Sequence, residues 1–221
     1  EGYARAFDYA PLWTGYGNTL KYTVVGTAVA LLCTIPAGYA LSRMDLPGRR
    51  VIMFLFTFTM FFSGGIIPLY LVIKSLHMYD TIWAIVLPVA VSAYNLIVCR
   101  SFFDTGIPTE MLEAARIDGC GEFKTFNKIV TPILKPAFAV QIIFTFVTNW
   151  NNYFMPRLIL TSKSKYTIPL VLNAMRYAGP QEKDVGMFSL YIVLAILPVV
   201  IVYLCLSKFI IRGVALGSVK G

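Results

Sequence analysis

Residues 22–41 read YTVVGTAVALLCTIPAGYAL, 20 positions without one Asp, Glu, Lys or Arg. A helix rises 1.5 Å per residue, so about 20 apolar residues cross the hydrocarbon core of a bilayer. Four more runs share this character: 51–73, 81–99, 136–155 and 185–207, of 23, 19, 20 and 23 residues. The 19 basic and 11 acidic side chains all fall between or beyond these runs. Hydrophobic residues make up 57% of the chain, and the mean hydropathy is +0.70. A soluble globular domain is excluded. So is an outer-membrane barrel, whose strands alternate over about ten residues. The expected fold class is all-α, a single polytopic membrane helix bundle over residues 1–221 with spans at the five runs.

Charges at the run edges, Lys21, Arg100 and Asp184, can reach the interface on their own stems. The net charge of +8 reflects loops that orient a membrane protein. No basic and aromatic cluster points to nucleic acid. One set of alternating loops, 43–50, 100–135 and the tail from 208, holds Arg43, Arg49, Arg50, Arg100, Arg116, Lys124, Lys128, Lys135, Lys208, Arg212 and Lys220. The other set is poorer in bases, so the first set, with the C-terminus, is assigned to the cytoplasm. The N-terminus then lies outside. Cys33, Cys99, Cys120 and Cys205 lack metal-ligand spacing, and His77 is the only histidine, so no metal site is expected. The chain opens on Glu1 with no signal-peptide pattern, which suggests a fragment or processed form.

The runs read as interior helices. Gly26, Ala30, Thr34 and Gly38 recur every fourth residue, a small-residue ridge that lets helices approach closely in lipid. Pro36, Pro68, Pro88 and Pro198 lie inside runs; they fit a moving or cavity-lining bundle and equally the ordinary frequency of Pro in membrane helices. Phe62-Ser63-Gly64-Gly65 is a further weak point.

The loop at 101–135 is the longest polar segment between runs. Ile107-Pro108-Thr109-Glu110 predicts a helix start with Pro in the first turn, and Gly119 predicts its end. Glu110, Glu113 and Asp118 outnumber Arg116, so adsorption to an anionic leaflet is disfavoured. Small Ala114 and Ala115 beside Glu113 suit docking into a groove on another protein. A second short helix is predicted from Glu122 to Val130, with Phe123, Phe126 and Ile129 on one side and Thr131-Pro132 ending it.

Glu113-Ala114-Ala115, three residues, Gly119, nine residues, Ile129 and Pro132 resembles the EAA loop of permease subunits in binding-protein-dependent ABC importers. The family pattern is E-A-A-x3-G-x9-I-x-L-P, and only Thr131, where Leu is usual, departs from it. Asp118 and Phe126 look like the carbohydrate branch, and the tail from Phe209 to Gly221 resembles that of the maltose-type second subunit. Met60-Phe61-Phe62-Ser63-Gly64-Gly65-Ile66-Ile67-Pro68 is similar to permeases for polysaccharide or uronic-acid oligosaccharides. The resemblance implies a type I importer permease fold, usually of six spans, with the first absent here. It implies a membrane subunit that moves an oligosaccharide across the bacterial inner membrane. Its implied partners are a cytoplasmic ATPase dimer, a second homologous permease and an extracytoplasmic solute-binding protein. ATP and Mg would be bound by the ATPase. The implied docking residues are Glu113, Ala114, Ala115, Asp118 and Gly119.

This chain has no P-loop, since Gly64-Gly65 lies in an apolar run without a following Lys-Ser/Thr. No catalytic residue or cofactor is expected. An ion-coupled secondary transporter is the rival reading, but the runs carry no carboxylate or His for coupling. A membrane enzyme fails for the same reason. One polar stripe stands out. At about 100° per residue, Gln141, Thr145, Thr148, Asn149 and Asn152 share an arc of about 100°, with Trp150 opposite. Amides and hydroxyls facing hydrocarbon alone are expensive, so this stripe is expected to meet sugar, water or polar partners.

Overall fold

The computed structural model describes residues 9–177 and 185–218, and every element there is helical. Glu1, Asp184 and Lys220, used above for the chain start, a run edge and the charge count, lie outside the described residues, as do Val219 and Gly221 of the tail. The helices are α1 (Ala10–Ser42), α2 (Arg49–Phe61), α3 (Ile66–Ser75), α4 (Trp83–Val86) and α5 (Ala93–Gly106). They continue with α6 (Thr109–Ile117), α7 (Glu122–Thr125), α8 (Thr131–Ile133) and α9 (Lys135–Trp150). The last are α10 (Phe154–Ile159), α11 (Ile168–Arg176) and α12 (Val185–Ser218).

Among the described residues two helices can cross a membrane by length and composition, Ala10–Ser42 and the Phe188–Phe209 part of α12. The number rises to five if each of three broken pairs is one span. The sequence runs thus differ from the helices at their edges. α1 begins at Ala10 rather than 22, and α9 stops at Trp150 rather than 155.

The break between α2 and α3 has a local cause. Phe62 is extended, and Gly65 adopts φ 84° and ψ 176°, a region essentially closed to side-chain-bearing residues. Pro68 therefore lies in the first turn of a new helix, where its missing N–H has no helical bond to lose. Pro88 sits in a short 3-10 turn, Leu87–Val89, and Ser92 then caps α5 by accepting from the Asn95 N–H. Pro36 and Pro198 break nothing; both lie within continuous helices.

Two compact units emerge from the chain, which the sequence reads as one domain. The first comprises Glu1–Val29, Gly64–Val89 and Thr145–Leu204; the second Ala30–Ser63, Ala90–Phe144 and Cys205–Gly221. In the first unit, buried Trp150 packs on Phe146, Ile168 and Tyr16 and donates its indole N–H to the Ala195 carbonyl at 2.8 Å. Asp80 pins the 161–165 turn there. It accepts from the Thr161 and Ser162 N–H groups and the Ser162 hydroxyl, and pairs with Lys165 at 2.7 Å. The Lys165 ammonium first, then these donors, holds the Asp80 carboxyl well below the usual carboxylate range.

The second unit closes around Tyr39, Cys99, Phe103, Ile107, Val130 and Leu134. The small-residue ridge is buried along α1 as the spacing predicts. A Cβ built on Gly38 would lie 2.9 Å from the Cys99 sulfur and 3.3 Å from the Arg100 backbone nitrogen. In lipid, such close approach supplies packing that hydrophobic burial does not. Gly38→Val should lower stability by about 1–3 kcal/mol through overpacking. Gly17→Ala, where nothing lies within 4 Å, should leave it unchanged or slightly higher. Thermal unfolding of the detergent-purified protein compares the two. Equal melting temperatures for both variants would mean that α1 does not depend on close contact at Gly38.

Candidate functional site

The loop after α5 folds as the capping chemistry dictates. Pro108 precedes α6 with extended backbone, one position earlier than the predicted first turn, and Glu110 lies in that turn. At the other end Gly119 takes φ 73°. The Gly119 N–H donates to the Arg116 carbonyl at 3.1 Å, and the Cys120 N–H to the Ala115 carbonyl at 2.9 Å. These two bonds form a Schellman motif, which needs a left-handed residue where Gly119 stands. The helix end predicted from Gly119 is therefore present with its mechanism.

α6 has two faces. Ala115 is buried, and Leu112 packs against the Tyr39 and Phe103 cluster. Glu113, Ala114, Ile117 and Asp118 face outward, with Ile117 86% exposed. Phe123 in α7 is 83% exposed. This outer face joins acids to large apolar side chains.

The second short helix differs from its prediction. α7 passes into a π-helical turn, Phe126–Val130, and then into α8, so Thr131-Pro132 does not end it. A proline ring clashes with the carbonyl four residues back, and the wider π turn relieves that clash. The aromatic pair does not share one environment. Phe126 packs on Tyr39 at 5.0 Å between ring centroids, whereas Phe123 points outward. The segment bends by 82° into α9 at Leu134.

Four charges from three segments form a closed ring beside α6. Arg116 Nη2 lies 2.9 Å from Asp45 Oδ2 and 3.0 Å from Glu122 Oε1. Arg43 completes the ring at 3.6 Å to Glu122 and 3.7 Å to Asp45, ion-pair contacts longer than hydrogen bonds. The Tyr39 hydroxyl donates to Glu122 Oε2 at 3.2 Å. The hydrogen bond from Arg116 holds the Asp45 carboxyl below its ordinary range. A cavity of about 410 Å³ opens alongside, lined by Arg43, Asp45, Arg49, Asp104, Glu113 and Arg116 among others. Sequence reading missed this ring. Asp45 and Arg116 are 71 residues apart, and no spacing rule pairs them.

The polar stripe on α9 divides. Gln141, 1% exposed, belongs to the second unit, where its Nε2 donates to the Asn95 carbonyl at 3.1 Å and its Oε1 has no partner. Thr145 is buried in the first unit, where Asn149 is half-buried, donates to Thr27 Oγ1 at 3.4 Å and sits over Gly26. Thr148 is exposed. Asn152 lies beyond the end of the helix, with its N–H on the Asn149 carbonyl, so the helical angle assigned to it does not apply. The Asn151 side chain donates to the Val147 carbonyl, which also accepts the Asn151 N–H. Trp150 points to neighbouring helices, as its position opposite the stripe predicts.

Residues 22–215 match the family model described as the inner membrane component of binding-protein-dependent transport systems. The chain belongs to this family. Among similar proteins is the polygalacturonan/rhamnogalacturonan transport system permease YtcP of Bacillus subtilis (strain 168). It is 41% identical over 100% of this chain and 82% of its own length. The arabinooligosaccharides transport system permease AraQ of the same organism is 34% identical over 92% of this chain and 72% of AraQ. A solved bacterial ABC transporter involved in import of the acidic polysaccharide alginate superposes with a TM-score of 0.87. It is 31% identical and matches 94% of this chain and 78% of its own. The all-α permease fold expected from the sequence is thus the fold of this inner-membrane component.

For this permease the cap is the simplest part of the site to test. A Cβ at Gly119 meets nothing within 4 Å, so any penalty comes from backbone conformation alone. Gly119→Val should cost about 1–2 kcal/mol and fray α6, while Gly119→Asn, which tolerates the left-handed region, should be milder. Limited proteolysis of membranes at the loop reads this out. Identical cleavage rates for both variants would show that the cap does not hold α6.

Proposed function

We propose that this permease is one of two membrane subunits that carry an oligosaccharide across the bacterial inner membrane, driven by a cytoplasmic ATPase docked on α6. The observation carrying this reading is the outer face of α6 and α7. Glu113, Ala114, Ile117, Asp118 and Phe123 lie open there while Ala115 anchors the helix inward. An exposed apolar pair rimmed by acids fits a groove with an apolar floor and a basic edge. The Glu113 to Pro132 pattern supports the same partner. Oligosaccharide as substrate is supported by the polygalacturonan and arabinooligosaccharide relatives and by the alginate importer.

In this reading ATP and Mg belong to the ATPase, a second homologous permease completes the pathway, and an external binding protein delivers the sugar. The α6 side and the C-terminus face the cytoplasm. Nucleotide-driven closure of the ATPase moves α6, and the spans follow. Thr148, Asn149 and Asn152, the accessible members of the α9 stripe, are the residues we assign to the sugar pathway. Buried Gln141, bonded to the Asn95 carbonyl, serves as a polar contact between helices, a role in which such bonds average about 0.6 kcal/mol in membrane proteins, and buried Thr145 is not assigned to the pathway.

Glu113→Lys places a like charge against the basic edge and should strip the ATPase from detergent-extracted complexes at moderate salt, with the permease still folded. Full retention at high salt would remove Glu113 from the docking contact. Asn149→Ala with Asn152→Ala should leave the complex assembled but change uptake of galacturonate oligomers relative to neutral arabino-oligosaccharides. Loss of assembly with an unchanged ratio in the surviving complex would instead make these residues structural.

A further inference from the structure

α6 is held to the rest of its unit by two kinds of contact. Leu112 packs on the apolar cluster around Tyr39 and Phe103, and Ala115 is buried. Apolar contact is non-directional, so it holds the helix down without fixing its position along its axis. The charge ring is directional. It ties Arg116 of α6 to Asp45, three residues past the end of α1, and to Glu122, which also takes the Tyr39 hydroxyl of α1. Arg43 is stacked on Tyr39 at 5.9 Å, and its side chain is only 16% exposed, so this corner is seated within the unit.

We infer that Arg116 is the positioning residue that fixes the register of α6 on the end of α1, through the ring with Asp45, Glu122 and Arg43. The inference rests on the docking reading for its purpose: a push on α6 is passed to α1 only while the two are held in register. The side chains of Arg116, Asp45 and Glu122 are 60%, 55% and 57% exposed. Exposed pairs add little stability and open readily. The ring therefore sets geometry rather than strength. Its two close contacts run through one nitrogen, Nη2, so a lysine ammonium can replace them in part.

The test is pulsed-EPR distance measurement between nitroxide-bearing unnatural residues at positions 44 and 117, both exposed and neither in the ring. It is made on the full chain in nanodiscs without the ATPase, because position 117 lies on the proposed docking face. Wild type should give one narrow distance. In Arg116→Gln and in Asp45→Asn the main distance should lose about two- to five-fold in population to displaced ones, the change an exposed ion pair supports. The double variant should be no worse than the poorer single, and Arg116→Lys should restore most of the main distance. A narrow, unshifted distance in Arg116→Gln overturns the inference, as does loss that Arg116→Lys fails to recover. ATPase co-purification is scored separately. If the unsubstituted chain retains no ATPase but the distances behave as stated, the docking reading fails and the ring's positioning role stands.

Discussion

Hydrocarbon gives a membrane helix no reward for burying a leucine and a heavy penalty for an unpaired backbone group or charge. That constraint accounts for what this chain spends its residues on. Long stretches carry no charge, close contacts fall to small residues, and ionic chemistry is gathered where helices end. Gly38 against Cys99 and Gly26 under Asn149 are consequences of the first two demands. The Arg43, Asp45, Arg116 and Glu122 ring and the Asp80 to Lys165 clamp are consequences of the third.

A different constraint acts on α6, which lies in the polar loop between apolar runs. α6 spans only nine residues, and an isolated helix of that length is unstable in water. It persists because its C-terminal cap and its contacts with the rest of the unit hold it. Gly119 completes the C-terminal bonds, Ala115 and Leu112 seat one face, and Arg116 ties the other to charges already placed by α1. The remaining surface leaves Ile117 and Phe123 uncovered.

Features governed by local rules were legible in the sequence. Charge-free length marks apolar helices, and Gly119 marks a helix end because few residues tolerate its φ. The four-residue ridge on α1 follows from helical period alone. Features that depend on tertiary placement were not. Asp45 and Arg116 meet across 71 residues, and the ring has no sequence signature. No ideal helical period anticipates the π turn at Phe126–Val130, nor that Phe126 packs on Tyr39 while Phe123 stays exposed. Gln141 and Asn149 share a stripe by angle yet bond to different units, and Asn152 falls past the helix end. Proline proved ambiguous for a physical reason. Pro68 opens a helix, Pro88 sits in a break, and Pro36 and Pro198 lie in unbroken helices, because the outcome depends on what satisfies the freed carbonyl.

The central claim is that the outward face of α6 and α7 contacts an ATPase. Replacing Phe123, an exposed aromatic, with the photoreactive analogue benzoylphenylalanine in intact cells tests it most directly, because the aromatic contact is preserved while a covalent mark is left on whatever touches it. The account predicts, on irradiation, a single dominant adduct of permease with a nucleotide-binding subunit, identified by mass spectrometry. Adducts confined to lipid, or to another membrane protein, would contradict it.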